Sequence, residues 1–119
     1  MNDTDLVLDA DAIDALRELG GEEEPDFLET LIRMYLDDSP ERLAEIESAA
    51  DEGDVEGMER VAHSLKSSSG NLGARRLQKL CLEIEMASRD GEVEAARVLV
   101  GRVRPEFEAV CSALEGEIA

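Results

Sequence analysis

The chain has 119 residues, of which 30 are acidic, 12 are basic and one is histidine, so its formal net charge at pH 7 is −18. A chain this acidic is repelled by nucleic-acid phosphates and by anionic lipid surfaces, which argues against both as partners. Two phenylalanines, one tyrosine and no tryptophan are few aromatic residues for a β-sandwich or barrel. The length suits one domain over residues 1–119 that buries a core without disulfides or a structural metal.

The composition predicts an all-α fold, because alanine, leucine and glutamate, which favour helices, dominate. The chain shows no secretory signal and no apolar run near the ~18 residues of a membrane span, so we expect a cytoplasmic protein. Cys81 and Cys111 lie far apart within apolar helical patterns. Such a pair indicates buried, reduced thiols rather than a disulfide framework or a metal site.

The chain opens with residues 1–7, which are predicted to form a short, frayed leader. Asp9 or Asp11 can cap a first helix that runs to about Leu19, and Gly20-Gly21 ends it. The apolar residues of this helix are expected to face the core: Ile13, Leu16 and Leu19. An acidic run with a proline then forms a solvated loop.

A second helix is predicted over residues 26–38, and it is apolar over much of its circumference. Such a helix usually lies deep in a core. The alternative is that one edge, formed by Leu28 and Ile32, stays exposed as a patch for a partner. Ser39-Pro40 resembles an N-cap followed by proline at the first helical position, so a third helix is predicted from there to residues 51–53.

The second half of the chain predicts three more helices. Asp54 caps the fourth, which ends near residues 70–73, and the fifth covers residues 74–90. The sixth covers residues 92–114 and is predicted as one helix kinked at Pro105, because its apolar stripe keeps its phase; two separate helices are the fallback. Short links between helices predict an antiparallel four-helix bundle with an additional N-terminal helix. One apolar stripe per helix fits a monomer.

The fourth helix carries the only histidine, His63. Apolar or small residues recur at spacings of three and four along one side: Met58, Val61, Ala62, Leu65, Ser69 and Leu72. At about 100° per residue, His63 falls roughly 150° from the centre of that stripe and should point outward. Lys66, Ser67 and Gly70 lie at i+3, i+4 and i+7 and share its face.

This outward face has a chemical interpretation. An imidazole titrates near neutral pH, so much of it is unprotonated and one ring nitrogen can act as a nucleophile. A lysine one turn away offers a point charge to phosphoryl oxygens. Ser67 and Gly70 leave room for another protein's active site to close over the ring. The hypothesis is a phosphorylatable histidine presented to a partner that supplies the remaining chemistry.

The stretch from Ala62 to Ala74 resembles the signature of histidine-containing phosphotransfer (HPt) domains, Ala-His-x-Leu-Lys-small-x-small-x-x-Leu-Gly-Ala, and fills every fixed position. The resemblance implies a phosphorelay intermediate in which His63 takes a phosphoryl group from an aspartate of one receiver domain and passes it to an aspartate of another. It implies receiver domains of a hybrid sensor kinase or a response regulator as partners. It also implies that Mg²⁺ belongs to the receiver, and that this chain is a carrier without cofactor or autonomous turnover.

Further site residues follow from the antiparallel link near residue 74. Equal counting on either side of that turn puts Glu85 level with His63, where a carboxylate can bond one ring nitrogen and fix the tautomer. Some HPt-like domains carry Glu or Gln at the matching position; a surface glutamate is the alternative. Arg89, one turn further, matches a basic position in some relatives. Residues 60–82 hold five basic residues and no acidic one, and Arg60 in this island is predicted to contact an acidic partner.

Other classes of function fit less well. A di-iron bundle needs Glu-x-x-His pairs from two helices, and this chain has one histidine with Glu59 four residues before it. Two distant cysteines do not make a zinc site. No Ser/His/Asp triad is evident, and Gly20-Gly21 lacks the Lys-Ser/Thr of a phosphate-binding loop. A non-phosphorylated helical adaptor that binds a receiver or kinase through the same face remains as the alternative.

Overall fold

A computed structural model describes residues 6–119, which form six α-helices and no strand, so the predicted all-α class is confirmed. The helices are α1 (Ala10–Gly20), α2 (Phe27–Glu52), α3 (Val55–Asn71), α4 (Arg75–Arg89), α5 (Val93–Val100) and α6 (Val103–Glu117). Residues 1–5 of the predicted leader lie outside the described part of the chain. Val7, the last residue of that leader, is partly buried against the core.

The helices form an antiparallel four-helix bundle made of α2, α3, α4 and the consecutive pair α5–α6, with α1 packed on α2. The connections 53–54, 72–74 and 90–92 are only two or three residues long, which forces sequential helices to run antiparallel. The predicted bundle with an N-terminal extra helix is therefore confirmed. Its largest fully buried side chains are apolar and come from every helix except α5: Ile13, Ile32, Ile46, Met58, Leu65, Leu77, Ile84 and Leu114.

The predicted helix start at Ser39-Pro40 is wrong, because α2 runs without interruption past both residues. Proline inside a helix removes one backbone hydrogen bond and costs about 3 kcal/mol. Pro40 lies on the exposed side of α2, whereas Tyr35, Ser39 and Leu43 continue one buried stripe in phase. Burial of that stripe along the whole of α2 outweighs the local cost of the proline.

The prediction of one kinked helix across Pro105 is also wrong, and the fallback of two helices is confirmed, because α5 and α6 are separated by Gly101 and Arg102. The N–H of Arg102 bonds the carbonyl of Leu99 at 3.0 Å, a tighter turn than an α-helix makes. Gly101 and Arg102 keep right-handed helical dihedral angles, so the apolar stripe stays in phase across the break. Pro105 falls in the first turn of α6, where a missing N–H leaves no intrahelical bond unmade.

One expectation about side-chain burial is wrong and another is confirmed. Leu19 is 73% exposed. It lies six residues after the buried Ile13, and at about 100° per residue this spacing turns it about 120° away from the face of α1 that meets the bundle. The predicted deep burial of α2 is confirmed at Leu28 and Ile32, so the alternative of an exposed edge formed by these two residues is wrong. The exposed apolar residue of that helix is Met34 at 55%.

Candidate functional site

The helix α3 presents His63 as its sequence pattern predicts. The side chain of Asp54 caps the helix by accepting the Gly57 N–H at 3.0 Å. Every residue of the predicted inward stripe is buried: Met58, Val61, Ala62, Leu65, Ser69 and Leu72. Burial of one side of α3 leaves His63 on the other, and 63% of its side chain is exposed.

The small residues at the end of the signature hold α3 against its neighbours. The Ser69 hydroxyl is fully buried and lies 2.9 Å from the Tyr35 hydroxyl of α2. Gly73 has φ +77°, which only glycine adopts readily, and its carbonyl accepts the Asp9 N–H at 2.8 Å. A Cβ on Gly73 would lie 2.9 Å from that of Ala12, so glycine is also needed for the approach of α1. These residues fix the helix that carries the histidine.

The return helix α4 places Glu85 opposite His63, as counting from the turn predicts. The imidazole Nδ1 lies 2.9 Å from Glu85 Oε2. Only 6% of the Glu85 side chain is exposed, so the alternative of a surface glutamate is wrong. An ionised carboxylate can only accept, so Nδ1 carries the proton and donates it. That tautomer leaves the lone pair on Nε2, which has no hydrogen-bond partner among residues 6–119.

Lys66 also contacts Glu85 instead of standing free beside the imidazole. Its ammonium donates to Glu85 Oε1 at 2.6 Å, and 24% of its side chain is exposed. This hydrogen bond is the main cause that lowers the pKa of Glu85 below its ordinary value; burial opposes it, and the bond to His63 adds to it. Glu85 is therefore a buried anion that ties His63 and Lys66 together.

Arg89 is the third donor to Glu85 and brings in a residue that the sequence analysis did not assign to the site. Its guanidinium donates to Glu85 Oε2 at 3.3 Å and, through Nε, to Glu59 Oε1 at 3.1 Å. Glu59 lies on α3, four residues before His63. That spacing places Glu59 on the histidine's face and was the available signal. The structure thus groups His63, Lys66, Glu85 and Arg89, all predicted site residues, with Glu59.

The predicted docking residues differ in their surroundings. Arg60 and Ser67 are exposed, and Arg60 has no ion pair within the described residues. Gly70 does not face open solvent as expected: a Cβ there would lie 2.5 Å from the side-chain amide of Gln78. Three of the five basic residues in the island of residues 60–82 form ion pairs with acidic residues outside it. These pairs are Lys66 with Glu85, Arg75 with Asp9 and Arg76 with Glu106.

A mostly apolar groove of about 310 Å³ lies between α2 and α3. Leu31 and Met34 line it from α2, and Ser64 and Ser68 line it from α3. Ser64 follows His63 directly on α3, but His63 itself does not line the groove. An exposed apolar edge on α2 was only the alternative interpretation of its sequence, and the residues named for it, Leu28 and Ile32, do not line this groove.

Within residues 6–119 no three His, Cys, Asp or Glu side chains come close enough together to bind a metal ion. Burial raises the pKa of the Cys81 thiol to about 12 and that of the half-buried Cys111 to about 11. Both cysteines are free thiols in the structure, and Cys81 is buried as predicted, whereas the predicted burial of Cys111 is only partial. In the same range, none of the helices combines the length and apolar character that crossing a bilayer requires.

A helical bundle that holds one exposed imidazole on a buried carboxylate has the architecture of a phosphotransfer domain. A model of the Hpt domain family matches residues 30–116, and the chain belongs to this family. Histidine-containing phosphotransfer protein B of Pseudomonas aeruginosa has a similar solved structure, with a TM-score of 0.79 and 33% identity over 93% of each chain.

Curated relatives carry related names. Histidine-containing phosphotransfer protein 1 of Arabidopsis thaliana is 28% identical over 84% of this chain and 66% of its own length. Multistep phosphorelay regulator 1 of Schizosaccharomyces pombe is 27% identical over 71% of this chain. This chain spans just under two thirds of the first relative and 30% of the second. Pseudo histidine-containing phosphotransfer protein 2 of rice is 28% identical over 84% of this chain and 68% of its own.

Proposed function

We propose that this protein is a phosphorelay intermediate in which His63 accepts a phosphoryl group from a receiver-domain aspartate and passes it to another receiver-domain aspartate. The observation that carries this proposal is the exposed imidazole whose Nδ1 lies 2.9 Å from the buried Glu85. That bond leaves Nε2 as a lone-pair donor pointing toward solvent. Membership of the Hpt domain family supports the same role.

In the proposed step, the Nε2 lone pair attacks the phosphorus of the acyl phosphate in line. The N–P bond forms as the bond between phosphorus and the aspartate oxygen breaks, and the aspartate leaves as a carboxylate with the electron pair. Positive charge develops on the ring, whose Nδ1–H remains bonded to Glu85. The loose transition state of phosphoryl transfer makes positioning and charge balance the main requirements. Two cations can balance the charge of the phosphoryl oxygens. Lys66 lies one turn after His63 on α3, and Arg89 lies one turn after Glu85 on α4.

The partners in this proposal are receiver domains of a hybrid sensor kinase, a response regulator or both, met in the cytoplasm. Arg60, Ser67 and the surroundings of Gly70 form the docking face, together with the apolar groove between α2 and α3. Mg²⁺ and the catalytic carboxylates belong to the receiver, so this chain acts as a monomeric carrier without its own cofactor or autonomous turnover. Once it is phosphorylated, the same face presents the phosphoryl group to the second receiver.

A non-phosphorylated adaptor is the second candidate, and the rice relative whose name contains "pseudo" is the observation that favours it. Family membership alone therefore does not decide between carrier and adaptor. The site favours a carrier, because an adaptor needs no buried carboxylate beneath an exposed imidazole.

The test uses phosphorylated receiver domains as donors. Incubation with the intact chain should give a label that is labile in acid and stable in base, and that is absent from His63→Gln. His63→Gln should still bind the receiver, because the docking face is unchanged. An intact chain that binds receivers yet takes up no label, whichever receiver is tried, would make the adaptor the correct reading.

A further inference from the structure

A chain of hydrogen bonds leaves the histidine and returns to its own helix. His63 bonds Glu85, Glu85 bonds Arg89, and Arg89 bonds Glu59 on the helix of His63. Since Glu59 precedes His63 by four residues, both side chains lie on one face of α3. The network therefore places a second carboxylate, that of Glu59, on the face of α3 that carries the reactive ring. The Arg89 guanidinium links this carboxylate to Glu85.

Arg89 is the more exposed of the two cations in this network and the more weakly held to Glu85. Its side chain is 62% exposed, whereas those of Glu85 and Lys66 are 6% and 24% exposed. Its contact with Glu85 is 3.3 Å, longer than the 2.6 Å and 2.9 Å of the other two donors. Glu85 thus keeps two closer partners when Arg89 leaves. The shorter of the two hydrogen bonds made by Arg89 is the one to Glu59, at 3.1 Å.

We propose that Glu59 is a positioning residue that competes with the phosphoryl group on His63 for the guanidinium of Arg89. This inference rests on the function proposed above. In the unphosphorylated protein, Glu59 holds the guanidinium at the edge of the site. A phosphoryl group on Nε2 offers several charged oxygens, which bind a guanidinium more strongly than the single, partly exposed carboxylate of Glu59 does. Arg89 then exchanges Glu59 for the phosphoryl oxygens. Glu59 consequently lowers the stability of the phosphorylated state and keeps the group transferable.

The lifetime of the phosphohistidine tests this competition. Glu59→Gln removes the competitor, so the phosphohistidine should last about two- to fivefold longer, the range expected from an exposed ion pair. Glu56→Gln is the matched control, because Glu56 is an exposed residue of α3, seven positions before His63, and the same charge is removed. The control should change the lifetime by much less than Glu59→Gln does.

A double-mutant cycle separates an effect through Arg89 from simple repulsion. In an Arg89→Gln background, Glu59→Gln should no longer lengthen the phosphohistidine lifetime, because the residue through which it acts is gone. An equal effect in both backgrounds would overturn the proposal and leave only the repulsion between Glu59 and the phosphoryl group. No effect in either background would also overturn it.

A spectroscopic readout shows where Arg89 goes. The ¹H–¹⁵N signal of Arg89 Nε–H should shift in Glu59→Gln, and phosphorylation with phosphoramidate should move it in the wild type. A signal that stays in place on phosphorylation would refute the exchange. Phosphoramidate needs no receiver, so a failure of receiver transfer alone would count against the proposed function and not against this inference. No uptake from either phosphoramidate or a phosphorylated receiver would overturn both.

Discussion

Replacement of Glu85 by glutamine tests the core of the site. The wild-type carboxylate accepts hydrogen bonds from His63, Lys66 and Arg89. A glutamine has one acceptor oxygen, and its NH₂ group would face either the Lys66 ammonium or the imidazole Nδ1. If the NH₂ group faces Nδ1, the ring must accept there, its proton moves to Nε2, and the nucleophilic lone pair is lost.

The magnitude follows from the kind of bond that is lost. A hydrogen bond to a charged group contributes about 1 kcal/mol more than a neutral one, so Glu85→Gln should slow transfer from a phosphorylated receiver about five- to tenfold. Rapid-quench transfer assays measure this rate, and ¹⁵N imidazole spectra report the tautomer. Glu83→Gln is the control, since it removes the same charge from an exposed position of α4. A Glu85→Gln protein with the wild-type rate and tautomer would refute the assigned role.

Three further substitutions probe the surroundings. Lys66→Ala should slow transfer and lower the free energy of unfolding at pH 7. Because Lys66 lowers the pKa of Glu85 below its ordinary value of 4.5, this loss of stability should narrow as the pH falls from about 4.5 through the lowered pKa, as urea unfolding at several pH values can show. Gly70→Leu should block transfer yet leave a folded bundle by circular dichroism, because the side chain it meets, Gln78, is flexible; normal transfer would mean that the docking face is misassigned. Tyr35→Phe should lower the free energy of unfolding by about 1–2 kcal/mol, since the buried Ser69 hydroxyl loses its partner. Burial raises the pKa of Tyr35 to about 12, so the stability that the neutral phenol contributes is present below about pH 10 and is lost as the pH rises toward 12. The difference in free energy of unfolding between the wild type and Tyr35→Phe should therefore shrink over that range. A difference that stays constant would contradict this.

The two internal prolines show what sequence periodicity can and cannot decide. Continuity of the apolar stripe was the argument for one helix across Pro105, and the same argument applied to Pro40 would have predicted the uninterrupted α2. At Pro40 the local N-cap pattern was given more weight than the stripe. At Pro105 the stripe continues although the helix does not, because Gly101 and Arg102 keep helical dihedral angles. The phase of an apolar stripe therefore shows that successive residues keep the helical rotation of about 100°, but it does not show that the helical hydrogen bonds are unbroken.

The site was predictable wherever backbone geometry decides it. The outward position of His63 follows from helical periodicity, and its contact with Glu85 follows from counting back from a short turn, since both depend on Cα positions. The contacts of Lys66 and Arg89 were not predictable in this way. Each long side chain can reach several acceptors, and burial of Glu85 selects among them. Glu59 belongs to the site only because the long side chain of Arg89 bonds it.

The most direct test of the account is to identify the atom of His63 that carries phosphorus. A ¹H–³¹P correlation spectrum of the phosphorylated protein distinguishes the two ring nitrogens, because phosphorus on Nε2 couples to both carbon-bound ring protons and phosphorus on Nδ1 to only one. The account predicts couplings to both protons, since Nδ1 is held by Glu85 at 2.9 Å. Coupling to a single ring proton, or phosphorus on any other residue, would contradict it.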